Sequence, residues 1–167
     1  MELKQLYLTQ LEREAAASRK AIERVPEGQN DWRPHERSMP LGQLAAMAAT
    51  MPGWIAMMVA RDELNLDDPE SQKFRTKPLN SRAELLNKLD ESTAAARQAL
   101  EDTTEEHLLK PWRFVFNGQV SEQPRYLAIT DSVFSHLAHH RGQLTVYLRL
   151  NEASVPALYG PSADEKY

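Results

Sequence analysis

The sequence predicts an all-α protein, a four-helix bundle of which some helices are joined by long crossover connections. Two observations carry this prediction. Apolar residues recur at the three- and four-residue spacing of an amphipathic helix in four segments, at about residues 2–24, 39–63, 82–101 and 126–151. No segment shows the strict alternation of a convincing internal strand, and two of the connections, 65–80 and 110–124, are long.

The first two predicted helices have clear boundaries. Pro26 ends the first helix, and Ser38 is a plausible N-cap for the second. Pro52 lies inside the second helix and predicts a kink one turn earlier. Since Gln43 and Pro52 interrupt the apolar stretch 39–60, we interpret this stretch as a core helix and not as a membrane span.

The second half of the chain contains the other two predicted helices. Ser81 begins the third, with Glu84 as its capping-box partner. The connection 110–124 contains Asn117-Gly118, which is a hairpin turn signal. The fourth helix is followed by a tail at 153–167 that is predicted to be non-helical. With 167 residues, we expect the whole chain, 1–167, to be a single domain.

The composition of the chain argues against several classes of partner and of metal site. The formal net charge is −4 and no basic cluster stands out, which argues against a nucleic-acid partner. The chain has no cysteine, which excludes thiolate metal sites and disulfides. The first residues lack the pattern of a signal peptide. We therefore expect a cytoplasmic protein without a membrane partner.

Two histidines one helical turn apart, His136 and His140, occupy positions where the fourth helix should carry leucines. They continue an apolar stripe and therefore face the predicted core. Burying an unpaired polar group costs about 1–3 kcal/mol in proteins. A metal ion, a hydrogen-bond network or a water-filled pocket are the alternatives that would offset this cost.

Three neighbouring residues are candidates for a supporting role beside these histidines. His139 lies roughly 60° from His136 around the helix, close to the site but off its centre. Asp131 and Arg141 could orient the histidines. Alternatively, Arg141 could pair with an acid such as Asp131 or be solvated, and Asp131 could cap the N-terminus of the helix or be solvated.

Several motifs resemble the DinB/YfiT-like family of four-helix-bundle metalloenzymes, over nearly the whole chain. The histidine-helix motif is the most specific of them. The matching stretches are residues 32–39 (WRPHERSM), 41–45 (LGQLA), 51–54 (MPGW), 136–144 (HLAHHRGQL) and 155–165 (VPALYGPSADE).

The resemblance implies a divalent metal, nickel or zinc, held by three histidines, of which two match His136 and His140. The third family position aligns with Met47, so the resemblance implies a degenerate metal site. It implies a metal-dependent hydrolase or a thiol S-transferase, with a low-molecular-weight thiol as candidate partner. The alternative is a metal-free small-molecule-binding or structural member. Relatives often pair, and the apolar run Met57-Met58-Val59 would suit a homodimer.

Overall fold

Seven α-helices and three β-strands make up the part of the chain that the computed structural model describes, residues 2–166. Short 3₁₀ helices lie at Met51–Gly53 and Pro69–Phe74, and a π-helix lies at Thr130–Ser135. The predicted predominance of helix is confirmed, but the prediction of an all-α protein is wrong because a small sheet is present. In chain order the elements are α1 (Leu3–Ile22), α2 (Leu41–Thr50), α3 (Trp54–Ala60), β1 (Glu63–Asn65), α4 (Arg82–Asp102), α5 (Glu105–Leu109), β2 (Pro111–Phe116), β3 (Gln119–Pro124), α6 (Arg125–Ile129) and α7 (His136–Leu150).

The sheet is built around the hairpin that the sequence signals. β2 and β3 are antiparallel, and Asn117 and Gly118 between them have φ of 50° and 70°. These positive values are what a two-residue hairpin turn requires. The carboxylate of Asp67 accepts both turn N–H groups at 2.8 Å. β1 adds a parallel edge strand to β2. With only three residues, β1 is too short to show a period in the sequence.

The second predicted helix is divided at Pro52. α2 ends at Thr50, the 3₁₀ turn Met51–Gly53 contains the proline, and α3 ends at Ala60. The break therefore lies at the proline and not one turn earlier, because a 3₁₀ turn accommodates a residue without a backbone N–H. By length and composition Leu41–Ala60 would suffice to cross a membrane, but half of its apolar window is buried inside this fold.

The core forms where α2 and α3 pack between α1, α4 and α7. α2 is nearly all small or aliphatic, so the surrounding helices approach it closely. α4 begins at Ser81, where Ser81 Oγ accepts the Glu84 N–H at 3.2 Å, as the cap predicts. Each fully buried leucine contributes about 1.5–3 kcal/mol. The central buried leucines are Leu11, Leu41, Leu44, Leu85, Leu89, Leu100, Leu137, Leu144 and Leu148.

The Met57-Met58-Val59 run lies largely inside this fold. Met58 is buried, and Met57 and Val59 are partly buried against the core. The run is therefore not an exposed apolar face. It does not provide the surface from which a homodimer is expected.

The chain after α7 folds back over α1 and α7. Asp164 pairs with Arg149, and Glu165 pairs with Arg24 at 2.9 Å. Segment 153–166 contains no helix. Its course brings Tyr159 against the buried side of α7.

Candidate functional site

The helical run from Arg125 to Leu150 is interrupted by the π-helix, so the prediction of one regular α-helix over 126–151 is wrong. The π-helix Thr130–Ser135 inserts its wider turn just before His136. Both Val133 and Phe134 are buried there. A π-helical turn resets the side-chain register, and such turns occur frequently at functional sites.

His136 and His140 lie together on one side of α7, as their spacing predicts. Their ring centroids are 4.5 Å apart, and His140 is only 7% exposed. His136 is half-buried, and its ring lies 6.0 Å from the ring of Trp54 at the start of α3. His139 is exposed, with its ring 5.2 Å from that of His140. Three imidazoles therefore lie within about one helical turn. His140 is buried, His136 is half-buried and His139 is exposed.

Burial lowers the pKa of both inner histidines from the usual 6.5. Desolvation is the main cause in each case, because a charged imidazolium loses more hydration than a neutral ring. Hydrogen bonds to the Ser132 backbone and to Gln143 oppose the shift, and the neighbouring imidazoles add to it. At neutral pH both rings are therefore neutral, which is the form that binds metals and accepts protons.

Gln143 orients the buried imidazole. Its side-chain oxygen lies 2.9 Å from His140 Nδ1. Since an amide oxygen accepts hydrogen bonds, this contact favours the tautomer with the proton on Nδ1. Nε2 of His140 then keeps a free lone pair for a ligand.

Two contacts set how α2 and α3 pack against α7 on either side of Met47. At one end Tyr147 Oη donates to the Met39 carbonyl at 3.1 Å. At the other end Trp54 faces His136. α7 therefore runs antiparallel to α2 and α3, and Met47 lies between these two fixed points.

The side chain of Met47 is partly buried against a cluster to which α7 contributes Leu137 and Leu144. The side chain of Met47 therefore packs against the core, and the resemblance expects an imidazole at this position of α2. Among residues 2–166, no three His, Asp or Glu side chains are grouped to hold a metal ion. The donors present, two imidazoles and a neutral sulfur, do not match the tripod that zinc or nickel requires.

Arg141 lies on the other side of α7, away from the histidines. Only 1% exposed, it forms an ion pair with the buried carboxylate of Glu14 on α1. It also donates to the Glu14 carbonyl and to Ser18 Oγ, each at 3.1 Å, and to the Tyr159 hydroxyl. Arg141 therefore supports the packing of α1 and the tail, and not the imidazoles. Of the alternatives that the sequence leaves open for Arg141, pairing with an acid is the one observed, and the acid is Glu14 and not Asp131.

Asp131 is exposed and accepts a hydrogen bond from Gln123 at 3.3 Å. It sits in the π-helix, whose wider turn separates it in register from the histidines that follow. The residue that sequence reasoning missed is Glu14. It falls in the apolar stripe of α1, three residues after Leu11 and seven after Tyr7. A charged residue in such a stripe signals a buried partner, but the spacing cannot name Arg141.

Two surface pockets lie away from the histidines. One, of about 540 Å³, lies between α3 and α5 and has His107 and Lys110 on its wall. The other, of about 500 Å³, runs between α1 and the π-helix and is bounded by Glu14 and Tyr159. Neither contains His136 or His140. We assign the candidate site to the histidines because Nε2 of His140 keeps a free lone pair, whereas the Glu14 carboxylate already accepts hydrogen bonds from Gln10, Arg141 and Tyr159.

The comparisons with known proteins agree with this fold. Residues 1–166 match the DinB family. A DinB-like protein from Bacillus subtilis has 19% identity and a TM-score of 0.64, covering 89% of this chain and 94% of its own. A DinB-like protein from Bacillus cereus ATCC 10987 has 20% identity and a TM-score of 0.67, covering 92% of this chain and 95% of its own. No curated protein matches the sequence.

Proposed function

The chain belongs to the DinB family, and we propose that its functional centre is a reduced site in which His136 and His140 bind a small molecule without a tightly held zinc or nickel ion. One observation carries this proposal. The ring centroids of two neutral imidazoles lie 4.5 Å apart, and Met47 occupies the position on α2 where the family resemblance expects a third imidazole. Two imidazoles alone leave a zinc or nickel ion largely hydrated and weakly bound.

Each residue of the centre has a defined part in binding. His140, held through Nδ1 by Gln143, offers Nε2 as acceptor to a donor group of the ligand. His136 offers a second neutral ring beside it, and Trp54 forms an apolar wall. Ligands with an acidic hydrogen, such as a low-molecular-weight thiol, suit this arrangement because a neutral imidazole accepts a proton readily.

A second candidate function is the metal-dependent hydrolase or thiol S-transferase that the family resemblance implies. The observation that favours it is the exposed ring of His139, 5.2 Å from the ring of His140. This function requires His139 or a ligand atom to complete the coordination that Met47 does not supply.

Metal titration of the untagged, metal-stripped protein distinguishes the two functions. Nickel and zinc are titrated by calorimetry into the unmodified chain and into Met47→His. Under the proposed function the unmodified chain binds weakly, and Met47→His binds at least about tenfold more tightly, since that is the smallest effect expected of a ligand-sphere change. Glutathione is titrated in parallel, and we expect the imidazole ¹⁵N resonances of His136 and His140 to shift.

Two outcomes would overturn the proposal. Tight one-to-one binding of zinc or nickel by the unmodified chain would establish the second function. Equal weak binding by both proteins, together with imidazole resonances that glutathione leaves unmoved, would show that this centre has no binding role.

A further inference from the structure

The pocket between α1 and the π-helix lies apart from the histidine centre and has the dimensions of a binding site. Its volume of about 500 Å³ lies within the range of small-molecule sites, about 300–1,000 Å³. Thr130, Phe134 and Ser135 of the π-helix form one wall, and π-helical turns occur frequently at functional sites. Tyr159 bounds the pocket from the tail, within the stretch 155–165 that the proposed function does not use.

Three aromatic side chains line this pocket. The ring centroids of Tyr7 and Phe134 are 5.5 Å apart, and the two rings are inclined at 47°. Tyr159 is 63% exposed, and its ring centroid lies 5.2 Å from the guanidinium carbon of Arg141. The ring of Tyr159 is therefore already in contact with one cation. Because the face of an aromatic ring carries the negative part of its quadrupole, aromatic walls favour a cationic ligand over an anionic one.

The hydroxyl groups of two lining residues offer lone pairs to a ligand. Tyr7 Oη lies 2.6 Å from the Tyr126 carbonyl oxygen and 2.8 Å from Thr130 Oγ1. Thr130 Oγ1 lies 3.0 Å from the same carbonyl oxygen. Both hydroxyl hydrogens are therefore used within this cluster of three contacts, and the lone pairs that remain suit a ligand that donates a hydrogen bond.

The balance of charge around the pocket is negative. None of the described residues that line it is lysine or arginine. Glu14 lines it, but the charge of Glu14 is balanced by Arg141. Asp131 on the π-helix is exposed, and among the described residues its carboxylate accepts a hydrogen bond only from the neutral amide of Gln123. The pKa of Tyr7 is raised from 10.0, mainly by burial, and the charge of Asp131 adds to this shift, so that charge acts on a group that lines the pocket.

We propose that this pocket is a second binding site, for a small organic cation that carries an ammonium group. The ammonium group packs against the rings of Phe134 and Tyr159, and the charge of Asp131 attracts it. A hydroxyl or N–H group of the same ligand donates to the lone pairs of Tyr7 and Thr130. This site does not depend on the proposed function, since neither histidine of the pair lines the pocket.

Choline and its neutral isostere 3,3-dimethylbutan-1-ol test the requirement for charge, because the two molecules share their size, shape and hydroxyl group. Each is titrated into the full, untagged chain labelled with ¹³C in its tyrosine and phenylalanine rings. We expect choline to bind saturably and to shift the ring resonances of Tyr7, Phe134 and Tyr159. Tyr147, which donates to Met39 in the other part of the core, should not move. The isostere should bind at least about threefold more weakly, since it lacks the cation–π attraction.

Variants test the ring and the charge separately. Tyr159→Leu removes the ring and should weaken choline binding by at least about threefold, whereas Tyr159→Phe keeps the ring and should bind choline as the unmodified chain does. Asp131→Asn should weaken choline binding by about twofold to fivefold, the size of an exposed charge interaction, and leave the isostere unaffected. Asp102→Asn removes the same charge at the other pocket and is the matched control, with choline binding unchanged. Thermal melts establish that each variant is folded.

Three outcomes would overturn the inference. Equal binding of choline and its isostere would show that the pocket does not recognise charge. Equal weakening by Asp131→Asn and Asp102→Asn would be an effect of net charge and not of this pocket. Choline binding that shifts the imidazole resonances of His136 and His140 but not the ring of Tyr159, or the absence of any saturable shift, would show that the cation does not bind here. The proposed function is tested separately by metal and glutathione, so the histidine centre stands or fails independently of these results.

Discussion

His140 and Arg141 are neighbours in the sequence, both buried, yet the two sides of α7 that they occupy differ in how completely their polar atoms are satisfied. On the arginine side, Arg141 meets Glu14, Ser18 and Tyr159. Glu14 is held in turn by Gln10 and by the Tyr159 hydroxyl. On the histidine side, His140 has one side-chain partner, Gln143, which is itself exposed.

This difference separates a stabilising network from the proposed binding site. A buried ion pair whose partners are held by several further hydrogen bonds binds α1, α7 and the tail together, so its role is structural. Imidazoles with free lone pairs retain the capacity to bind a ligand at a cost in stability. The residues to which we assign ligand binding on this helix are therefore the ones with fewer hydrogen-bond partners.

The largest effect should follow from breaking the arginine side. Arg141→Leu leaves the Glu14 carboxylate buried without its cation, and removal of one partner of such a pair costs about 3–5 kcal/mol. We expect the urea midpoint to fall accordingly, followed by tryptophan fluorescence. The double variant Glu14→Leu with Arg141→Leu should recover most of this loss, because no unpaired charge remains.

If Arg141→Leu lowers the free energy of unfolding by less than about 1 kcal/mol, the Arg141–Glu14 pair contributes no more than a surface ion pair does. The arginine side of α7 would then not differ from the histidine side in its contribution to stability. If the double variant does not regain the lost stability, Ser18 and Tyr159 are the main partners of Arg141.

The matched change on the histidine side should have a smaller effect and the opposite sign. His140→Leu places a leucine in an apolar stripe. Only Gln143 loses a hydrogen-bond partner, and because Gln143 is exposed, water can replace that partner. We expect a gain of about 1 kcal/mol, since polar residues at binding sites are commonly retained at the expense of stability. Urea unfolding measures the gain, and titration of the same protein with glutathione should show the loss of binding. Destabilisation by His140→Leu would mean that the imidazole is a structural residue.

The same contrast explains what the sequence could predict. The shared face of His136 and His140 follows from local helical spacing, and the hairpin follows from Asn117-Gly118, so both are confirmed. The pairing of Arg141 with Glu14 joins positions 127 residues apart, and no local period encodes it. The edge strand β1 is likewise defined by its partner β2 and not by its own three residues.

Met47 shows a different limit. Its place in the apolar stripe of α2 predicts a core methionine, and only the resemblance to the DinB family makes it a ligand position. The structure adds the antiparallel register of α2 and α7, set by Tyr147 with Met39 and by Trp54 with His136. Such a register between distant helices depends on packing along their whole length, which spacing within one helix does not determine.

The smallest expected effect is a dependence of stability on pH that belongs to the histidine side alone. The pKa of His136 and of His140 lies below 6.5 in the folded protein. The unfolded chain therefore binds more protons in the interval between the lowered pKa values and 6.5, and in that interval the free energy of unfolding rises with pH. The full stability is present above pH 6.5 and is lost as the pH falls through the folded values.

Urea unfolding at about pH 7.5 and about pH 5 measures this dependence. The pKa values of Asp164 and Glu165 are lowered from 3.8 and 4.5, mainly by hydrogen bonds from Arg149 and from the Ala157 backbone, so both carboxylates stay ionised across the interval. His136→Gln with His140→Gln should flatten the dependence, whereas Arg141→Leu should lower stability equally at both pH values. An unchanged slope in the double histidine variant would show that the two imidazoles are as well hydrated in the fold as in the unfolded chain, and the histidine side would then offer a ligand no desolvated surface.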